Sequence, residues 1–298
     1  MPRLSLYLLL LLPMSGMADG RVPAWLLRLP DSTPTVFVAE TSTSTFHRFD
    51  VVDGALTGTR RDYMSIGKGG TGKERAGDRR TPLGIYFVTE QLQTARMHEK
   101  YGATAFPLDY PNARDRQLGR TGDGIWVHGV DRNGGARPEL DTDGCIALPN
   151  EQLLELEDSF RPNVTPVLIG KEIAWTDAAT RDEIGASLES AVLRWASALE
   201  QGDMVEYLNA YDDTFEHRGL NRDEWSALRL QTVGERAIAA VALSELLLLA
   251  DPAEDGLYLS RFRLVITEED GREVNAMRRL YWRRTEGGAF RIVAADSG

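Results

Sequence analysis

Gly124-Ile-Trp-Val-His-Gly129 and, a little further on, Asp141-Thr-Asp-Gly-Cys-Ile-Ala-Leu148 decide how this chain is read. Each contains a short apolar run next to glycine, the pattern of a buried strand reached through a tight turn. His128 ends the first run, and Cys145, the single cysteine of the chain, begins the second. A nucleophilic cysteine needs a base to form thiolate at neutral pH, and histidine is the usual one. Two neighbouring strand ends bring imidazole and thiol within reach, and Gly144 lets the backbone turn just before the thiol. The amides around Gly144 and Cys145 are then candidates to face a developing oxyanion.

Outward from this pair, residues 34–170 read as short strands punctuated by glycine, proline and aspartate. They are Thr35–Thr41, Phe46–Val52, Gly84–Leu92, Gly124–His128, Cys145–Leu148 and Thr165–Ile169. Many short strands with turn residues between them predict a mainly-β sandwich or barrel. One helix is expected at Glu151–Phe160, with Asn150 as its N-cap. Residues 172–186 turn polar and are read as a linker. An amphipathic helix follows, with Leu188, Val192, Trp195 and Leu199 at helical spacing. Gly202-Asp203 breaks it, a second helix carries Val205, Leu208 and Tyr211, and a third opens on the capping-box pair Asn221 and Glu224. The period then changes to strands at Ile238–Leu249, Tyr258–Thr267, Val274–Arg284 and Phe290–Ala294, with turns at Asp270-Gly271 and Gly287-Gly288. The expectation is a mixed, two-domain chain whose second domain, residues 187–298, is an α+β cone able to fold alone.

Composition narrows the function. The 298 residues are 42% hydrophobic and 27% charged, as in an ordinary globular protein, with a net charge of −11. Residues 19–172 carry a net −3 and residues 173–298 a net −9, so neither half offers the basic stripe that nucleic acid requires. Leu4 to Met14 is apolar, follows Arg3 and leads into Gly16-Met17-Ala18, which reads as a signal peptide over residues 1–18 and places the mature protein in the periplasm. An exported chain with one cysteine keeps a thiol where disulfides are the rule, which marks Cys145 as a reactive candidate.

Gly67-Lys-Gly-Gly-Thr-Gly-Lys73 fits the first seven positions of a phosphate-binding loop, but the eighth, Glu74, lacks the hydroxyl that binds Mg²⁺. Arg75–Pro82 cannot form the helix that would hold the phosphate. No nucleotide is expected. His47, His98 and His217 are scattered without metal-ligand spacing, so neither metal nor other cofactor is implied. Trp195, Trp225 and Trp282 are read as core packing.

The motifs together resemble the YkuD-type L,D-transpeptidases, which crosslink peptidoglycan through an acyl-enzyme on cysteine. The family's His-Gly strand end and Ser/Thr-x-Gly-Cys motif stand here as His128-Gly129 and Thr142-Asp143-Gly144-Cys145-Ile146. Ser65-Ile-Gly-Lys68, Gly77-Asp78, Thr81-Pro82-Leu-Gly84-Ile-Tyr86, Leu108-Asp-Tyr-Pro-Asn112, Asp115 and Arg116 extend the likeness over residues 33–171. It implies Cys145 as nucleophile, His128 as general base, the Gly129 carbonyl as the group orienting the imidazole, and Gly144 as the oxyanion turn. Tyr110, Trp126, Thr142 and Asp143 become the candidates for touching substrate. The second half resembles the NTF2-like or SnoaL-like cones and is read as a docking module for a wall or protein ligand.

Two positions depart from the pattern. Many members carry His where Asp143 stands, and Arg or Asn where Ala147 stands. A carboxylate beside the thiol raises its pKa unless a cation offsets it. The expectation adopted is that Asp143 supports the imidazolium of a His128–Cys145 ion pair; the rival is that it only repels the thiolate. The leading functional expectation is an L,D-transpeptidase acting on stem peptides. Its rivals are a hydrolytic L,D-carboxypeptidase or endopeptidase using the same acyl-enzyme, and a non-catalytic wall-binding protein.

Overall fold

The computed structural model describes residues 21–131, 137–234 and 236–297; the segment 1–18, read as a signal peptide, lies outside them. The run Thr35–Glu40 is apolar without alternation and lies centrally in a five-stranded sheet. The order of that sheet is Ala55–Tyr63, Thr45–Val52, Thr35–Glu40, Pro166–Gly170, Gly84–Phe87. Both of its faces are covered, which is why the run does not alternate. Phe37, Ala39, Tyr86, Val167 and Ile169 point into one core, shared with Phe106, Val127, Ile146 and Leu148. These last come from a three-stranded sheet ordered Ile146–Leu148, Trp126–Gly129, Ala105–Pro107. The rings of Phe46, Phe37, Phe160 and Phe106 stack through this sandwich at centroid distances of 5.0, 4.2 and 4.2 Å.

The second unit is a seven-stranded sheet with helices Ala178–Glu200, Met204–Asn209 and Arg222–Thr232. Asn221 caps the third helix, with both reciprocal bonds to Glu224 formed. Gly271 and Gly288, at φ of 83° and 81°, make the two turns read from the sequence.

Three readings change. Asn150 is the first helical residue after Pro149, not the cap. Its side chain instead accepts from the Ala103 amide and donates to the Val130 carbonyl. Tyr211 does not end the second helix but begins strand Tyr211–His217, turned inward among Trp195, Tyr207 and Phe215. The stretch 172–186 is regular structure: strand Trp175–Asp177 pairs with Arg21–Pro23, and Asp177 caps a 23-residue helix.

Residues 187–298 do hold their own apolar helix face and sheet, yet the sheet is not complete without the chain's beginning. Leu26–Arg28 forms its edge strand beside Ile238–Ala250. The opposite face of the sheet, with Leu247, Leu249, Leu257, Leu259, Tyr281 and Val293, packs on Val36, Val38, Phe49, Ile85, Phe87 and Leu168 of the five-stranded sheet. Charged ties ring this contact: Arg114 with Glu254 at 2.7 Å, Arg116 with Asp296 at 2.7 Å, and Arg279 with Asp109. The two units therefore share a core. Calorimetry of the whole chain should show one cooperative transition, and Leu249→Ala should destabilise it by roughly 2–5 kcal/mol. Two separate transitions, with only one moved by the substitution, would contradict the shared core.

Candidate active site

Parallel pairing of Trp126–Gly129 with Ile146–Leu148 sets Val127 opposite Ile146 and His128 opposite Ala147. The pairing puts the thiol, one residue before the second strand, at the mouth of the sheet near Trp126. Cys145 and His128 line one open cavity of about 660 Å³.

The turn that carries Cys145 is fixed from three sides. Gly144 has a φ of 126°, and a Cβ there would sit 2.8 Å from the Arg80 carbonyl oxygen, so only glycine fits. Thr142 Oγ1 donates to the Cys145 carbonyl (2.6 Å) and accepts from the Gly144 amide (3.1 Å). Buried Thr81 Oγ1 donates to the Gly144 carbonyl and accepts from the Gly67 amide, both at 2.9 Å. The Gly144 amide is thus occupied, and glycine contributes the shape of the turn rather than a free oxyanion donor. The loop behind it is organised by Asp78, which accepts from Lys73 and from the amides of Glu74, Arg75 and Arg80. These bonds hold its carboxyl far below the usual range against the cost of burial. Lys73 is buried in that pair, so the Gly67–Lys73 stretch is a brace for the Cys145 turn.

His128 is 3% exposed. Its Nδ1 lies 2.6 Å from the Gly129 carbonyl oxygen; a carbonyl only accepts, so Nδ1 carries the proton and Nε2 keeps its lone pair. Gly129 is glycine of necessity, since a Cβ would lie 2.0 Å from Asn150 Oδ1. Burial pushes the His128 pKa down to about 4, helped by Arg137 and Lys100 and opposed by the Gly129 bond and Asp131. Burial also pushes the Cys145 thiol up; the Trp126 amide and Lys100 work against this, and Asp143 adds to it. The thiol donates to the Gly124 carbonyl at 3.3 Å. At neutral pH the thiol and the imidazole are therefore both uncharged. The adopted role for Asp143 is corrected accordingly: the charges that bear on His128 are Arg137, Lys100 and Asp131, and Asp143 acts on the thiol by repulsion.

Of the other candidates, Thr142 and Asp143 line the cavity. Trp126 stands at its edge, its ring 4.8 Å from that of Tyr101. Tyr110 is buried in the core, donating to the Thr121 carbonyl beside Tyr86, and does not line the cavity. The sequence reading missed Lys68, Lys100, Tyr101, Asp131 and Arg137 on the cavity wall. Tyr101 sets its edge on the His128 ring at 5.5 Å, and Arg137 is held by Asp131 at 2.7 Å. Lys68, Asp131 and Arg137 come from turns and loops, and Lys100 and Tyr101 from the single-turn helix Glu99–Tyr101, too short for a period to mark them. Among the described residues no cluster of His, Cys, Asp and Glu is arranged to hold a metal ion.

Residues 36–169 match the family model described as YkuD, L,D-transpeptidase catalytic domain. Among solved structures, Bd1075 of Bdellovibrio bacteriovorus is similar at 23% identity and a TM-score of 0.77, over 93% of this chain and 98% of that one. Pgp2 of Campylobacter jejuni, described as a helical cell shape determining protein, is similar at 22% identity and a TM-score of 0.75, over 95% and 97%. Both share the fold along nearly their whole length. No curated protein matches.

Because the thiol is raised, iodoacetamide should alkylate Cys145 slowly at neutral pH, with a midpoint above the ordinary thiol value of about 8.5. Asp143→Asn should lower that midpoint and speed alkylation; an unchanged or slower rate would refute the repulsion. His128 makes a stability prediction of definite sign. Its folded pKa, about 4, lies below the ordinary imidazole value of 6.5, so in that window the unfolded chain binds the proton first. Stability should therefore fall as pH drops from 6.5 toward 4, with less slope in His128→Gln; equal slopes in the two proteins would show that the buried imidazole is not responsible.

Proposed function

With the YkuD domain of residues 36–169 as the premise, we propose that this protein is a cysteine acyltransferase that acts on peptidoglycan stem peptides. The observation that carries the reading is the placement of Cys145 and a neutral, Nδ1-protonated His128 on one cavity wall. His128 Nε2 takes the thiol proton as Sγ attacks the carbonyl of the amide that joins an L centre to the following D-residue. The imidazolium then gives that proton to the departing amine, and the acyl group remains on sulfur as a thioester. An amine of a second stem attacks the thioester; His128 Nε2 takes a proton from that amine and passes it to the departing sulfur, which restores the thiol. Burial suits His128 to this cycle: an imidazolium in a dry site is a strong acid, so it readily protonates the leaving amine.

The cavity's charges suit the substrate class. Lys68, Lys100 and Arg137 offer cations to the carboxylates of a stem peptide, and Asp123, Asp141 and Asp143 offer partners to its amines. The position of many members' Arg or Asn is filled by Ala147, which is 1% exposed and opposite His128. Arg137 and Lys100 bring positive charge to the same imidazole from the loops. The apolar segment 1–18 and the wall substrate together support a periplasmic site of action, and the likeness to Pgp2 supports a part in cell shape.

Mass spectrometry of defined disaccharide-tetrapeptides incubated with the protein tests this. Crosslinked dimers lacking one terminal D-residue are the expected product. Stems shortened without crosslinks would make it a hydrolase, and unchanged stems a wall-binding protein. Cys145→Ala should abolish turnover with the fold intact, and His128→Ala should lower kcat by about 10²–10⁴-fold. Full turnover in the Cys145 variant would overturn the mechanism.

A further inference from the structure

The second unit encloses a cavity of about 350 Å³ between its helices and its sheet, within the range of small-ligand sites. Its floor is aromatic, with Trp195, Tyr207, Tyr211 and Trp225. Four arginines, 218, 229, 236 and 278, also line it, in a half of the chain whose net charge is −9. Arg236 pairs with Glu268 at 3.3 Å, and the wall's one carboxylate, Asp296, is taken by Arg116. Among the described residues, neither Arg229 nor Arg278 meets a carboxylate. Arg278 is nevertheless half-buried, and burial together with Arg229 lowers its pKa.

The protons that the arginine and aromatic side chains of this cavity leave without an acceptor make it a donor site. Arg229 lies over the rings of Tyr207 and Trp225 at 5.6 and 5.4 Å, held as a flat platform by cation–π contact. Its Nε donates to the Tyr207 hydroxyl at 3.2 Å, and Trp195 Nε1 donates to the Tyr211 hydroxyl at 3.3 Å. Between these two N–H groups stand two hydroxyls, 3.1 Å apart, that share one of their two protons. The other O–H has no acceptor among the described residues, although Tyr207 and Tyr211 are 1% and 3% exposed. The Trp225 Nε1 is likewise buried without a partner. A buried donor without an acceptor is desolvated without compensation, so a cavity that gathers several is built for something that accepts. Unpaired guanidinium groups require that acceptor to be anionic, and the aromatic floor gives room to an apolar body.

We propose that this cavity is a binding site for a small organic anion, a carboxylate carried on an apolar or aromatic body. The carboxylate lies between Arg229 and Arg278 and takes the hydroxyl and indole protons, and the body stacks on Trp225. The site is separate from Cys145 and does not depend on the chemistry there.

The whole chain should bind 4-nitrobenzoate saturably, one per protein, by calorimetry at low salt. The neutral isostere 4-nitrobenzamide should bind roughly tenfold or more weakly, because it forfeits the charge-assisted bonds. Arg229→Gln and Arg278→Gln should each lose a similar factor for the acid, and Arg291→Gln, outside the cavity, should lose none. Equal affinity for acid and amide, or no saturable binding of the acid at millimolar concentration, would overturn the proposal. So would full affinity in the two cavity variants with unchanged circular dichroism. Should a variant not fold, the comparison of acid with amide on the unmodified protein still decides.

Discussion

The parallel register between Trp126–Gly129 and Ile146–Leu148 is the constraint on which the rest of this protein's first unit depends. A strand has a side-chain period of two, so a slip of one residue would turn either the imidazole or the neighbouring core residues to the wrong face. The surrounding sequence is spent on preventing that slip. Val127, Ile146 and Leu148 are fully buried in the sandwich and give the pairing its hydrophobic reason. Thr81 then ties the Cys145 turn to Gly67 by its hydroxyl, and Asn150 clamps the histidine end through Ala103 and Val130. Thr81 and Asn150 are short polar side chains satisfied on both sides, which makes them rigid rather than costly in a buried setting.

Burial has a second consequence, and it sets the charge state of the pair. A dry site disfavours both thiolate and imidazolium, so the thiol and the base rest uncharged. A thiolate held permanently by a charged partner would be reactive toward any electrophile. Here the Gly129 carbonyl holds the imidazole's Nδ1 proton in place, which leaves Nε2 with its lone pair. Asp143 strengthens this restraint by raising the thiol further, whereas Lys100 draws the other way. Lys100 on the cavity wall thus acts on the thiol through space, against Asp143.

The parts legible in the sequence were those whose reason is local. A glycine that must turn before a cysteine, a His-Gly strand end, a capping box at Asn221 and the two glycine hairpins each declare themselves within a few residues. What was not legible depends on partners far along the chain. Asn150 looks like a cap by its type and position, but the backbone at Ala103 and Val130 competes for its side chain and wins. Tyr211 fits a helical period, yet its ring belongs to the second unit's core and its backbone to the strand beside Phe290–Ser297. Tyr110 sits in a stretch shared with a known family and still faces inward. Lys100 and Tyr101 reach the cavity from the single-turn helix Glu99–Tyr101 and Arg137 from a loop, none long enough for a period to be read.

The same distinction explains why the division into two units was clear while their union was not. The apolar runs Val36–Ala39 and Leu246–Leu249 look like ordinary core strands, and in each the alternate residues enter different cores. Leu248 faces the helices of the second unit, whereas Leu247 and Leu249 face the five-stranded sheet. A strand with one face free for solvent would have alternated with polar residues; these do not, so each was already committed to two neighbours. Leu26–Arg28 completes the argument, since residues from the start of the chain close the edge of a sheet built by its end. A sheet clasped in this way is held at a fixed angle to the five-stranded sheet, and a ligand bound by its arginines is held at that angle with it.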